Sequence, residues 1–92
     1  MLNQVVCVGK LTEYNDRYMY IAIYDVTDRN KRIEVPVDIV NMADRIQKQC
    51  KPGDLIGVKG HLTNELGLKV KADKITFLSS SEHTAKGGDE LG

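Results

Sequence analysis

The chain of 92 residues is poor in aromatic side chains: it has no tryptophan, one phenylalanine and four tyrosines. Three of those tyrosines lie together in the stretch RYMYIAIY, residues 17–24. A chain of this length supports one small domain, whose limited core would gain buried surface from self-association. The concentration of aromatic residues in one short segment is therefore the first feature that needs an explanation.

The chain also lacks an excess of either charge. Lysine and arginine total 13, and aspartate and glutamate total 13. This balance argues against a partner held mainly by charge, such as duplex DNA. The charge is divided unevenly, since residues 1–78 carry a small basic excess and residues 79–92 a small acidic excess.

Long apolar runs and chemical motifs are missing as well. No run approaches the roughly 18–20 apolar residues of a membrane span, and no signal-peptide pattern begins the chain, so we expect a cytoplasmic protein with no membrane partner. Cys7 and Cys50 are isolated in apolar surroundings and are interpreted as small buried side chains. Without metal-ligand spacing, a serine elbow, a phosphate loop or an acid–base pair, the sequence predicts no cofactor, no metal, no catalytic residue and no enzyme activity.

Alternating side chains predict strands in the first part of the chain. The first strand, within residues 2–14, is apolar on both faces, and Gly9 predicts a bulge or sharp bend in it. The second, residues 18–27, alternates between two sets. Its predicted inner set is Met19, Ile21 and Ile23, and its outer set is Tyr18, Tyr20 and Tyr24. After a turn at 28–31, a third strand places Arg32, Glu34 and Pro36 outward.

A helix and two further strands complete the pattern. The helix is predicted over 40–50, with Asp38 or Asn41 as its cap and Pro52-Gly53 as its end. Its buried stripe is Ile39, Met42, Ala43, Ile46 and Cys50. Strands follow at 54–63 and 66–78, with Gly67 available for a left-handed backbone position. This order predicts an all-β, five-stranded Greek-key barrel of the OB type over residues 1–78, and a disordered polar tail over 79–92.

Three blocks resemble the bacterial single-stranded DNA-binding proteins: MLNQVVCVGKLT, ADRIQKQCKPGDLIGVKGHL and VKADKITFL, in the same order as in that family. The resemblance covers most of residues 1–78. It implies an OB-fold, a homo-oligomer (tetramer or dimer), and sequence-independent binding of single-stranded DNA during replication, repair or recombination, with the protein on the nucleoid when it is bound.

The chain also departs from that family. Asp38 and Ile39 stand where the family commonly has an aromatic residue, and the loop TNELG is much shorter than its DNA-wrapping loop. The end DELG lacks the family's terminal proline-phenylalanine, so partner recruitment by an acidic tail is not expected. With these differences, the chain resembles a minimal, tailless member of the family, of phage, plasmid or reduced-genome origin.

Binding without sequence preference needs aromatic faces for bases and cations for phosphates. The aromatic candidates are Tyr18, Tyr20 and Tyr24, and the cationic candidates are Lys10, Arg17, Arg32, Lys59, Lys69 and Lys71. The simpler interpretation is that the tyrosines are good strand residues packed on strand neighbours or a partner subunit, and that the charges only face solvent.

The doubly apolar first strand predicts an oligomer interface at Val5, Val6, Cys7 and Val8. One alternating pair can face the barrel interior, which leaves the other pair for a second chain, unless the last strand or the helix covers it. The sequence thus favours an oligomeric barrel that binds single-stranded DNA. The alternative is an OB-fold protein-interaction or primosome-type adaptor with weak or no nucleic-acid binding.

Overall fold

A computed structural model describes residues 1–80 of the chain. Its elements, in chain order, are β1 (Val5–Tyr14), β2 (Tyr18–Tyr24), β3 (Arg32–Asp38), α1 (Ala43–Gln49), β4 (Leu55–Thr63) and β5 (Lys69–Ser79). The predicted order of three strands, one helix and two strands is confirmed.

The five strands form a closed barrel in the spatial order β1-β2-β3-β5-β4. All neighbouring strands pair antiparallel except β3 and β5. These two pair parallel through two residue pairs, Val37 with Val70 and Asp38 with Lys71. This is the arrangement expected of an OB-type barrel. The pairing of β3 with the start of β5 places the loop between β4 and β5 next to β2 and β3.

The first strand changes its partner strand directly after Gly9, and the predicted bulge lies further along the strand, after Leu11. It pairs with β4 as far as Lys10 and with β2 from Lys10 onward, with a bulge between Leu11 and Glu13. A Cβ on Gly9 would lie 2.4 Å from the carbonyl oxygen of Ala22. Only a residue without a side chain lets β1 approach β2 this closely.

The core is aliphatic and lies inside the barrel with the helix against it. Its buried side chains come from every strand and from the predicted helical stripe. They include Leu11, Met19, Ile21, Val37, Ile39, Ile46, Ile56, Val58, Val70 and Ile75. Met42 of the predicted stripe is partly buried against this cluster, while Ala43 and Cys50 are members of it. The inner-face assignment of β2 is confirmed, with Ile23 partly buried at the edge of the cluster.

The helix begins later than predicted, and its predicted cap is wrong. The Asp38 carboxylate accepts a hydrogen bond from the Val40 amide at 3.0 Å, so it closes a turn before the helix. Met42 occupies the cap position without a side-chain hydrogen bond. Before the helix begins, the Ile39 amide donates to the Arg17 carbonyl, which holds this segment against the start of β2.

The last strand also begins later than predicted, at Lys69. Leu66 and Gly67 both have positive φ angles, 58° and 105°, so the turn between β4 and β5 extends through them. Ser79, the first residue of the predicted tail, ends β5, and residues 81–92 of that tail lie outside the described residues. None of the helices in residues 1–80 is both long and apolar enough to cross a membrane.

Candidate nucleic-acid interface

The outer face of β2 carries the three tyrosines that the alternation assigned to it. Met19 and Ile21 are fully buried, whereas Tyr18 and Tyr20 are half-buried and Tyr24 is 68% exposed. On the neighbouring strand, Pro36 lies opposite Tyr20 and Arg32 lies opposite Tyr24. The two strands therefore present one continuous outer surface, as the sequence predicted.

A carboxylate interrupts this surface. Glu34 lies opposite Ala22, between the rows of Tyr20 and Tyr24. Its carboxylate approaches the Arg32 guanidinium at 3.7 Å and accepts a hydrogen bond from the Thr12 hydroxyl at 3.2 Å. Part of the positive charge of Arg32 is thus already balanced within the chain.

The bent strand β1 supplies the other side of the surface. Lys10 lies opposite Ala22, and Glu13 lies opposite Tyr20. The proximity of Glu13 to Tyr20 was not predicted, because the bulge after Leu11 shifts the register by one residue and strict alternation gives no sign of it. Tyr20 therefore lies between an acidic residue and a proline.

Tyr18 has surroundings unlike those of the other two tyrosines. The Lys69 ammonium donates a hydrogen bond to the Tyr18 hydroxyl at 2.9 Å and lies 4.7 Å from the ring centroid. The Arg17 guanidinium lies 5.5 Å from the same centroid. The hydrogen bond from Lys69, with the positive charge of Arg17 and Lys69, lowers the pKa of the Tyr18 hydroxyl below its ordinary value. The ring is thus engaged by cations.

Two more charged groups complete this end of the surface. Arg17 lies 3.9 Å from the Asp38 carboxylate, and Asp38 pairs across the strands with Tyr18. Lys71 is half-buried beside Asp38 in the short parallel pairing, and His61 on β4 lies on its other side. Arg17, Lys69 and Lys71 therefore gather around the start of β2, although they are distant in sequence.

Lys59 lies apart from the tyrosines. It pairs with Val6 on β1 and with Lys74 on β5, so it belongs to the outer wall formed by β1, β4 and β5. His61, predicted on the same face as Lys59, instead lies beside Lys71, after a register shift between Lys59 and Gly60. Of the six predicted cations, the other five surround the tyrosine-bearing strand or its ends.

The predicted oligomer interface divides into two faces. Val5 and Cys7 point inward and are half-buried, and burial raises the pKa of the Cys7 thiol. Val6 and Val8 point outward, 69% and 53% exposed, so neither the helix nor β5 covers them within residues 1–80. Leu78 of β5 is also exposed on this wall. We call Val6, Val8 and Leu78 the β1–β5 patch.

Two grooves border the tyrosine-bearing surface. One, of about 270 Å³, is lined by Tyr18, Tyr20, Pro36, Leu66, Leu68 and Lys69. The other, of about 580 Å³, lies where β1 bends, and its polar walls include Lys10, Tyr24 and Arg32. In the part of the chain that the structure describes, no three His, Cys, Asp or Glu side chains are grouped to hold a metal ion.

Comparison with known proteins finds similarity in structure but none in sequence families. No protein-family model and no curated protein matches the chain. Among solved structures, it is similar to the mitochondrial single-stranded DNA binding protein Rim1 from S. cerevisiae, with a TM-score of 0.67 and 15% sequence identity. The likeness covers 87% of this chain and 97% of that one. At this identity it establishes a shared fold: the chain has the OB-type barrel of that single-stranded DNA binding protein.

Proposed function

We propose that this protein binds single-stranded DNA without sequence preference, on the outer surface of β2 and β3. The observation that carries the proposal is the alignment of Tyr20 and Tyr24 on that surface, in a barrel of this fold, with Lys10 and Arg32 beside them. In OB-folds the face of the second and third strands is the usual binding surface.

The three tyrosines have different roles in this proposal. Tyr24, the most exposed, and Tyr20 stack bases, each contributing roughly 1–3 kcal/mol. Tyr18 contacts the DNA through its hydroxyl group, because the Lys69 and Arg17 side chains already contact its ring. The strand would run along β2 from Tyr24 toward Tyr18.

The electrostatics favour weak and salt-sensitive binding. Arg32 and Arg17 each lie within 4 Å of a carboxylate, at 3.7 and 3.9 Å. Each must exchange an internal partner for a phosphate, so the net gain per contact is small. We expect a dissociation constant in the micromolar range at low salt, which rises steeply as salt is added.

Self-association would bury the apolar side chains that β1 and β5 expose. The β1–β5 patch exposes two valines and a leucine on one wall, away from the tyrosines. We propose that this patch pairs two copies into a dimer, or into a tetramer made of two such dimers, and leaves the tyrosine-bearing surfaces free. Such a protein would serve replication, repair or recombination in the cytoplasm, as a minimal member of the bacterial or phage family, without catalysing a reaction.

One observation favours a different function. Glu13 of β1 lies opposite Tyr20, and Glu34 of β3 lies opposite Ala22, so a carboxylate flanks β2 on each side. Such carboxylates repel a phosphate backbone. A protein-interaction or primosome-type adaptor that kept the barrel and lost nucleic-acid affinity would tolerate them. The exposed tyrosine ring would then contact a protein.

The two functions separate in a titration of fluorescently labelled oligothymidylate, followed by anisotropy at low and at high salt. Single-strand binding predicts saturation at micromolar protein at low salt, similar affinity for unstructured oligomers of other bases, and loss of binding at high salt. If no binding occurs at about 100 µM protein and low salt, the affinity is below the range of ordinary non-specific binding, and the adaptor is favoured.

A further inference from the structure

Lys69 is the buried cation of this surface, with 9% of its area exposed. Its ammonium donates to the neutral Tyr18 hydroxyl at 2.9 Å, and no carboxylate lies within 4.0 Å of it among residues 1–80. A buried ammonium is costly unless an anion or several hydrogen bonds compensate it. Within residues 1–80 the ammonium therefore has the Tyr18 hydroxyl and ring as its partners and no carboxylate.

The donors at this site converge. The ammonium carries three N–H groups, one of which is directed at the Tyr18 oxygen. The Tyr18 hydroxyl accepts that bond, so its own proton remains available for donation. Both groups line the 270 Å³ groove, and an anion placed there would receive hydrogen bonds from both.

The other charged groups near Tyr18 do not supply that anion. Asp38 pairs across the strands with Tyr18, and its side chain is engaged by the Val40 amide and by Arg17. Lys71 and Arg17 add positive charge at the same end of β2. Asp38 and Glu13, which lie opposite Tyr18 and Tyr20, offset two of the three positive charges of Arg17, Lys69 and Lys71, so these five groups carry one net positive charge.

The remaining lining of the groove is mostly apolar. Leu66 and Leu68, in the turn between β4 and β5, are 94% and 67% exposed, and they face a floor that includes Tyr20 and Pro36. Exposed leucines beside a buried ammonium favour a ligand that is part anion and part flat apolar group. A nucleotide, with its phosphate and its base, has this composition.

We propose that this groove is a subsite for one nucleotide, in which Lys69 and the Tyr18 hydroxyl bind the phosphate and Leu66 and Leu68 cover the base. The inference deepens the proposed function and rests on it, since in the bound strand this phosphate is a diester linkage. The same chemistry would accept a free mononucleotide or inorganic phosphate, and the experiments below distinguish these sources.

The first experiment does not require oligonucleotide binding. In protein labelled with ¹³C at the tyrosine ζ carbon and the leucine methyls, we expect thymidine monophosphate to shift Tyr18 together with Leu66 and Leu68. Inorganic phosphate is expected to shift Tyr18 alone, and thymidine to shift the leucines alone. Tyr14, which packs against the core, is the internal reference. Tyr18 resonances that stay unchanged up to the highest monophosphate concentration in the titration would refute the site.

The second experiment measures the salt dependence of oligothymidylate affinity. Lys69→Met should weaken binding about tenfold and reduce the slope of log K against log salt by about 0.7, the loss of one single-strand phosphate contact. Tyr18→Phe should weaken binding about tenfold with an unchanged slope, because it removes an uncharged donor. Lys74→Met, which removes an exposed lysine on the β1–β4–β5 wall, is the matched control and should change neither.

The results separate this inference from the proposed function. If oligothymidylate binds and both the Lys69 and Tyr18 variants keep its affinity and slope, the pair is only a structural brace and the subsite is wrong. If the wild-type protein binds no oligonucleotide, the proposed function is wrong, and the monophosphate titration alone decides the subsite. Circular dichroism of each variant verifies that the barrel is intact.

Discussion

Replacing Glu34 with glutamine should strengthen the binding of single-stranded DNA. The Glu34 carboxylate lies 3.7 Å from the Arg32 guanidinium, between the rows of Tyr20 and Tyr24. Glutamine has nearly the same shape and keeps an acceptor for the Thr12 hydroxyl, so the change mainly removes a charge. Arg32 is then free to contact a phosphate.

The size of the effect follows from that distance. Two unit charges at 3.7 Å in water attract with about 1 kcal/mol, and side chains that are half exposed gain no more than this. Release of Arg32 should therefore raise affinity by up to about fivefold at low salt. Removal of the carboxylate that competes for Arg32 should steepen the salt slope by up to about 0.7, the value for one full phosphate contact on a single strand.

Anisotropy titrations of labelled oligothymidylate over a range of salt concentrations measure both quantities. Asp44→Asn is the matched control, because it removes the same charge from the first turn of the helix, outside the tyrosine-bearing surface. A Glu34→Gln protein with unchanged or weaker binding and an unchanged slope would refute the placement of the DNA beside Arg32. An equal gain in the Asp44 variant would attribute the effect to net charge alone.

Three further predictions test the rest of the account. Tyr20→Ala should weaken oligothymidylate binding by roughly 1–3 kcal/mol with the oligomer size unchanged, whereas dissociation on light scattering would identify Tyr20 as a subunit contact. Gly9→Ala should destabilise the barrel by about 1–3 kcal/mol, and lower the melting temperature by several degrees, because its Cβ would lie 2.4 Å from the Ala22 carbonyl. Gly57→Ala, whose Cβ would have 3.8 Å to its nearest neighbour, should melt close to wild type, and equal melting of the two variants would contradict this packing. Val8→Glu should reduce the light-scattering mass to that of one chain; a wild-type monomer at micromolar concentration would contradict the proposed patch.

Local patterns predicted the strands and their faces well. The alternation of residues 18–24 separates Met19 and Ile21 from Tyr20 because the strand period of two is a property of the backbone itself. The helical stripe was predicted in the same way, from the spacing of three and four residues that the helix backbone imposes. The start of the helix was placed too early, since the hydrogen bond from the Ile39 amide to Arg17 depends on a segment far away in sequence.

The site was predicted only in part, because its polar contacts depend on register and closure. Tyr18 and Lys69 are 51 residues apart, and only the parallel pairing of β3 with β5 brings them together. A bulge places Glu13 beside Tyr20, and no composition signal marks that shift. Lys59 was grouped with the tyrosines by its charge, whereas its pairing with Val6 puts it on another wall.

The stacking of bases on Tyr20 and Tyr24 is the central claim, and tyrosine fluorescence tests it directly. The chain has four tyrosines and no tryptophan, so its emission comes from tyrosine, and a double variant isolates the share of Tyr20 and Tyr24. Addition of unlabelled oligothymidylate at low salt should quench the emission to a saturating level, and a Tyr20→Leu, Tyr24→Leu double variant should lose most of that quenching. Oligothymidylate binding with unchanged tyrosine emission, or with the same quenching in the double variant, would contradict the account.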